Sequence, residues 1–191
     1  MGCGKSSVGR KLSQLLCCPF IDLDEAVEEA AGKSIPEIFA SEGEAAFRRL
    51  ETEVLTNILS AEHERQCAPC EGGGVNEIPM TISAVLALGG GTVMTPECAE
   101  MVRENTYCIY LRASVNTLLE RLSSNTSNRP LLTRDPHAAL QGAQRRGNPS
   151  LHSRIDELMS QRSSTYEKTA NIIIDTDGKS IEQICSEIVR P

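Results

Sequence analysis

The sequence predicts an α/β fold: a parallel sheet carrying helices on both faces. Three observations lead there. Short apolar runs at residues 83–88, 107–111 and 171–175 alternate with stretches of helical periodicity, the pattern of strands joined by crossover helices. The chain opens on Gly2-Cys3-Gly4-Lys5-Ser6-Ser7, and Gly-Lys-Ser is the second half of the phosphate-loop pattern G-x-x-x-x-G-K-[ST]. Finally, Asp22/Asp24 and Gly89–Gly91 each follow a strand-like run, and open parallel sheets bind ligands at the carboxyl ends of their strands.

The elements follow in order. Val8, Leu12 and Leu15/Leu16 recur at helical spacing after the glycine turn, so a helix follows it. Phe20-Ile21-Asp22 reads as the end of a strand. Residues 25–31 read as a helix closed by Gly32, a residue suited to the left-handed C′ position. Ser34-x-x-Glu37 is a capping box for a short helix ending at Glu42-Gly43. Phe47, Leu50, Val54 and Ile58 mark the apolar face of a longer helix over residues 44–60.

Residues 62–80 are rich in Cys, Gly and Pro and read as a loop. Residues 83–88 form a continuous apolar run, as in a strand buried on both faces, and the triple glycine ends it. A helix over 96–104, a second buried strand over 107–111 and a helix over 115–122 follow. Residues 123–153 are polar and read as a loop. A helix over 155–168, a strand over 171–175 and a helix over 181–189 close the chain.

Composition narrows the function. The 191 residues suffice for one domain with a sizeable core. A net charge of −7 and a pI near 5.1 argue against a nucleic-acid surface. No run of about 18 apolar residues is present, nor is a signal-peptide layout, so a cytoplasmic chain is expected. The eight cysteines are irregularly spaced and are expected to be reduced. Cys67-Ala-Pro-Cys70 lacks a second pair at metal-binding spacing, and a loop insertion is the better reading.

The chemistry concentrates in a few residues. A glycine-rich turn opening a helix directs N–H groups and partial positive charge at phosphate oxygens. Lys5 would reach the β- and γ-phosphates and the Ser6 hydroxyl would ligate Mg2+. Asp22 and Asp24, two apart, fit one carboxylate for the metal and one to accept a hydroxyl proton; an Asp capping the following helix is the plainer alternative. Arg48 and Glu51 share a helix face, giving either a guanidinium held rigidly for a substrate carboxylate or an ordinary surface pair. Arg162 interrupts the apolar stripe Ile155, Leu158, Met159 and Tyr166, so it needs an anionic partner or a route to water. Arg129, in the polar loop, suits a lid that closes over a nucleotide.

Taken together, these segments resemble the shikimate kinase family. The similarity runs through residues 2–10 (GCGKSSVGR), 20–24 (FIDLD), 32–39 (GKSIPEIF), 43–51 (GEAAFRRLE), 87–93 (ALGGGTV), 128–132 (NRPLL) and 162–170 (RSSTYEKTA). The order is the family's and nearly the whole chain is covered. A gluconate kinase or adenylate kinase would share only the phosphate loop and general layout.

The resemblance implies a three-layer P-loop kinase fold: one kinase domain over residues 1–191, with a substrate-binding segment at about 24–61 and a lid at about 123–153. It implies transfer of the ATP γ-phosphate to the 3-hydroxyl of shikimate, in chorismate and aromatic amino-acid biosynthesis, by a monomer using ATP and Mg2+ without nucleic-acid or membrane partners. By position, Gly2, Cys3, Gly4, Lys5, Ser6 and Ser7 would hold the nucleotide and Ser6 and Asp22 the metal. Asp24 would contact the substrate hydroxyls and take the proton. Arg48 and Arg162 would grip the carboxylate, with Glu51 orienting Arg48. Gly89, Gly90 and Gly91 would approach the ring, and Arg129 would close over ATP beside Lys5 in catalysis.

Three departures stand out. The first glycine of the pattern and the central strand that feeds it do not precede Gly2 here, which is expected to leave two strand edges and an apolar groove. The loops at 62–80 and about 135–153 are also long, a change that costs little stability. A kinase-like protein that binds ligand without turnover, or another small-molecule kinase, is the competing expectation.

Overall fold

The computed structural model describes residues 2–63, 82–123 and 151–190. Among the described residues, four strands form two parallel pairs. β1 (Phe20–Asp22) pairs with β2 (Val85–Ala87), with Phe20 opposite Val85 and Asp22 opposite Ala87. β3 (Ile109–Arg112) pairs with β4 (Ile172–Asp175), with Ile109 opposite Ile172 and Arg112 opposite Asp175. The helices are α1 (Lys5–Leu15), α2 (Leu23–Ala31), α3 (Ile35–Ser41), α4 (Glu44–His63), α5 (Pro96–Asn105), α6 (Val115–Ser123), α7 (Leu151–Thr169) and α8 (Ile181–Val189), with a 3₁₀ turn at Thr92–Met94.

Side-chain alternation puts helices on both faces. Val85 packs into a core with Val8 and Leu12 of α1 and Ile184 and Ile188 of α8. Leu86 and Leu88, on the opposite face, pack into a second core with Val54 and Leu55 of α4 and Val102 of α5. β3 alternates likewise: Ile109 and Leu111 join the α1/α8 core, while Tyr110 stacks on Tyr166 of α7 with ring centroids 5.2 Å apart. This is the period-two logic of a strand.

The strands are less buried than their apolar sequences predicted. Within β2 only Ala87 is fully buried, and within β3 only Leu111. The cause lies between the two pairs. A cavity of about 630 Å3 is lined by Val85 and Leu86 from one pair, Ile109 and Tyr110 from the other, and Leu12 and Leu16 of α1. The two strand edges and apolar groove expected from the sequence are therefore present.

Local signals set most boundaries. Ser34 and Glu37 form the predicted capping box, and Gly32 ends α2 at φ 63°. Several boundaries move. α2 begins at Leu23 and not at residue 25, β2 is shorter than the 83–88 run, and β3 lies over 109–112 and not 107–111. Among the described residues α7 covers Leu151–Thr169, four residues more at its start than expected, and α4 reaches His63. Periodicity marks where an apolar face begins to pack, and a helix extends past that point wherever nothing breaks it. The Cys67/Cys70 pair and the rest of the 64–81 loop lie outside the described residues. Among the described residues, no helix is long and apolar enough to cross a membrane.

Candidate active site

α1 opens as an anion-binding helix. Gly4 is its N-cap at φ 89°, left-handed backbone that glycine adopts without strain. No side chain caps this end and no acidic residue lies in the first turn. Its N–H groups and its share of the helix dipole therefore remain available to a phosphate. Gly2 (φ 68°) and Cys3 lead into the turn, Lys5 and Ser6 begin the helix half-buried, and Ser7 is exposed.

Ser6 reaches across to β1, where its hydroxyl donates to Asp22 Oδ2 at 2.7 Å. The other oxygen, Asp22 Oδ1, accepts from the Asp24 backbone N–H at 3.1 Å and caps α2. The capping alternative thus holds for Asp22 and not for Asp24. That leaves the Asp24 carboxyl for other work. Burial raises its pKa, Lys5 pulls it back, and Asp22, Glu51 and Glu28 add to the rise.

Asp24 meets the glycine loop. A Cβ on Gly89 would stand 2.8 Å from Asp24 Oδ1, 2.9 Å from Glu51 Oε1 and 3.0 Å from Thr92 Oγ1. Two carboxylates and a hydroxyl therefore converge on one backbone position that has no room for a side chain.

Arg48 and Glu51 decide between the readings left open by their spacing. Glu51 is 1% exposed, and its Oε2 accepts from Arg48 Nη1 at 2.7 Å. A buried carboxylate of this kind is not a surface pair. Arg48 Nη2 also donates to Glu44 at 3.1 Å, and the guanidinium lies over the Phe47 ring at 5.1 Å. Burial opposes the arginine's charge, but the bonds to Glu51 and then Glu44 outweigh it and its pKa rises. The guanidinium reaches the third glycine: a Cβ on Gly91 would stand 2.5 Å from Nη2.

Arg162 and Tyr166, one turn apart on α7, both donate to the Gly90 carbonyl, Arg162 Nη1 at 3.1 Å. The arginine that interrupts the apolar stripe thus sits at the glycine loop, where its partner is a neutral carbonyl and not the anion expected from the sequence. Asp24, Glu51, Arg48 and Arg162 meet at the glycine loop, and Lys5, at the start of α1, lies near enough to Asp24 to lower its pKa. Arg129 and most of the 123–153 segment lie outside the described residues.

Two contributors were not foreseen. Thr92 is fully buried and donates to Glu51 Oε1 at 2.6 Å, and Tyr166 bonds Gly90. A threonine after three glycines carries no sequence signal of its own. Tyr166 belongs to the apolar stripe and its ring packs there; a tyrosine on a buried stripe also needs a hydroxyl partner, which is the signal in the sequence that points to a bond such as the one to Gly90.

A phosphate loop opening α1, paired parallel strands and a carboxylate–guanidinium site at the strand ends define a small-molecule phosphotransferase of the P-loop kinase class. The shikimate kinase family model matches residues 1–84 and 71–191, and the chain belongs to the shikimate kinase family. It is 36% identical over 191 residues to a shikimate kinase of Thioalkalivibrio sulfidiphilus, covering 100% of this chain and 82% of the relative. A Thermus thermophilus shikimate kinase is 35% identical over 189 residues, covering 99% and 84%. Among solved structures, a shikimate kinase from Acinetobacter baumannii in complex with shikimate superposes with a TM-score of 0.76 at 28% identity, covering 100% of this chain and 87% of that one. One from Aquifex aeolicus gives 0.66 at 28% identity, covering 99% and 89%.

Proposed function

We propose that the chain transfers the γ-phosphate of ATP to the 3-hydroxyl of shikimate, with Mg2+. The observation that carries this reading is the glycine loop, flanked by the Asp24 carboxyl at Gly89 and by the Arg48 guanidinium at Gly91. A ring bearing hydroxyls and a carboxylate has matching groups at its two ends.

Each residue then has a task. Arg48, braced by buried Glu51, presents a rigid donor fork to the carboxylate. Arg162 spends one N–H on Gly90 and keeps its remaining donors for the same anion. Asp24, whose pKa is raised chiefly by burial, is the stronger base for it and takes the hydroxyl proton as the phosphoryl group arrives. Gly2 through Ser7 cradle the phosphates, with Lys5 on the transferring group, and Arg129 closes over the nucleotide.

The residues present fit Mg2+. Ser6 Oγ and Asp22 Oδ2 lie 2.7 Å apart, two hard oxygen donors beside the phosphate loop. Among the described residues no three His, Cys, Asp or Glu side chains form a metal cluster. One hydroxyl, one carboxylate, phosphate oxygens and water are the usual Mg2+ set. When bound, the ion supplies charge neutralisation to the phosphates.

The test is ADP formation by the full chain with ATP and Mg2+, comparing shikimate with gluconate. Turnover that depends on shikimate and is absent with gluconate supports the reading. Equal rates with both acids, or ADP release indifferent to either, would overturn it.

A further inference from the structure

We propose that Thr92 is a positioning residue for substrate binding: it fixes Glu51, which in turn aims Arg48. The inference rests on the reading that Arg48 grips the substrate carboxylate. Thr92 is 0% exposed and Glu51 is 1% exposed, so neither group has water to fall back on. The Thr92 hydroxyl lies 2.6 Å from Glu51 Oε1 and 3.1 Å from the Gly89 carbonyl. It has a single proton, and the shorter, charge-assisted contact is the one to the carboxylate. Glu51 Oε2 holds Arg48 Nη1 at 2.7 Å. The two carboxylate oxygens therefore have separate jobs, one anchored and one presenting the guanidinium.

The anchor is needed at this place. Glu51 Oε1 shares the Gly89 corner with Asp24 Oδ1, and the two carboxylates repel each other. Without the hydroxyl, Glu51 Oε1 would be a buried acceptor facing a like charge, and its rotamer would change. Arg48 would retain exposed Glu44, which draws the guanidinium outward, away from Gly91. The position of Thr92, one residue after the glycines and at the start of the 3₁₀ turn, ties α4 to the loop it serves.

The test is calorimetric titration of the full chain and its T92V and T92S variants with shikimate, with shikimate methyl ester and with MgATP. T92V keeps the shape and removes the donor; T92S restores the donor. The expected result is a shikimate Kd about tenfold weaker in T92V and within about twofold of the parent in T92S. The MgATP Kd should stay unchanged. The ester lacks the charged carboxylate, so its Kd should not move in any variant. Loss of affinity for shikimate and ester alike, or for MgATP as well, would indicate general damage and overturn the assignment, as would an unchanged shikimate Kd. Should T92V not fold, T92A is judged by the same comparison. Failure of the parent chain itself to bind shikimate would instead overturn the proposed function, and this inference with it.

Discussion

Gly91 stands so close to Arg48 that a Cβ there would lie 2.5 Å from Nη2, 2.7 Å from Nη1 and 2.8 Å from Cζ. The neighbour is the far end of a flexible side chain, and Gly91 has an ordinary φ of −111°. Alanine would therefore be tolerated by the backbone and would displace the guanidinium instead. Gly91→Ala should still fold, with a lowered melting temperature because shifting the guanidinium disturbs its bond to buried Glu51. Its KM for shikimate should rise about tenfold or more, equivalent to about 1.4 kcal/mol, with the KM for ATP unchanged. Steady-state kinetics with each substrate varied in turn checks this.

Asp24 makes a prediction with a definite sign. Its folded-state pKa is raised above the ordinary 3.8, with burial the largest cause. Between 3.8 and that higher value the folded chain binds the proton more tightly than the unfolded chain does. Stability tied to this group is therefore complete below about pH 3.8 and declines as pH rises through the folded pKa. Asp24→Asn removes the titration. Its melting temperature should exceed the parent's at pH 7 and the advantage should shrink toward pH 4. Phosphoryl transfer should fall by about 10²-fold or more with the proposed base removed. Melts at the two pH values, with a rate assay at pH 7, check both parts.

Asp22 uses its two oxygens differently, and substitution separates them. Oδ1 caps α2 through the Asp24 N–H, and Oδ2 receives the Ser6 hydroxyl. Asparagine caps a helix about as well as aspartate, so Asp22→Asn should hold stability within about 0.5 kcal/mol. Without the charge it should raise the Mg2+ concentration for half-maximal rate about tenfold. Asp22→Ala also loses the cap and should cost about 1 kcal/mol. Denaturant melts and Mg2+ titrations of the rate distinguish the two variants.

Much of this was legible beforehand because it is local. The Ser34/Glu37 box, the Gly32 stop, the α4 apolar face and the glycine turn at α1 are properties of neighbouring residues. That Asp22, Asp24 and the three glycines lie at strand ends, and that Arg48 and Glu51 share a helix face, could be read from position alone. How they connect could not. Whether Arg48–Glu51 is a surface pair or a buried brace depends on the glycine loop some forty residues later, which covers Glu51. Thr92 bonds Glu51 across 41 positions, and no spacing rule reaches that far. Strand burial was overestimated for a similar reason: an apolar run shows what a strand can bury, while the neighbours that cover it depend on how the pairs assemble.

Gly90 offers the last test, because one carbonyl accepts from both Arg162 and Tyr166. A carbonyl oxygen has two lone pairs, so the two donors do not compete. Tyr166→Phe leaves the arginine in place and should cost about 0.5–1.5 kcal/mol, the usual worth of one hydrogen bond, with a small effect on shikimate KM. Arg162→Ala leaves the tyrosine in place and should cost little stability. It removes the charged donor proposed to hold the substrate carboxylate, however, and should raise shikimate KM about 10- to 100-fold. The double variant leaves the carbonyl with neither donor, so its destabilisation should exceed the sum of the two single effects. Strict additivity in the melts would mean that the two side chains act on Gly90 independently, and that α7 does not hold the glycine loop through this shared acceptor.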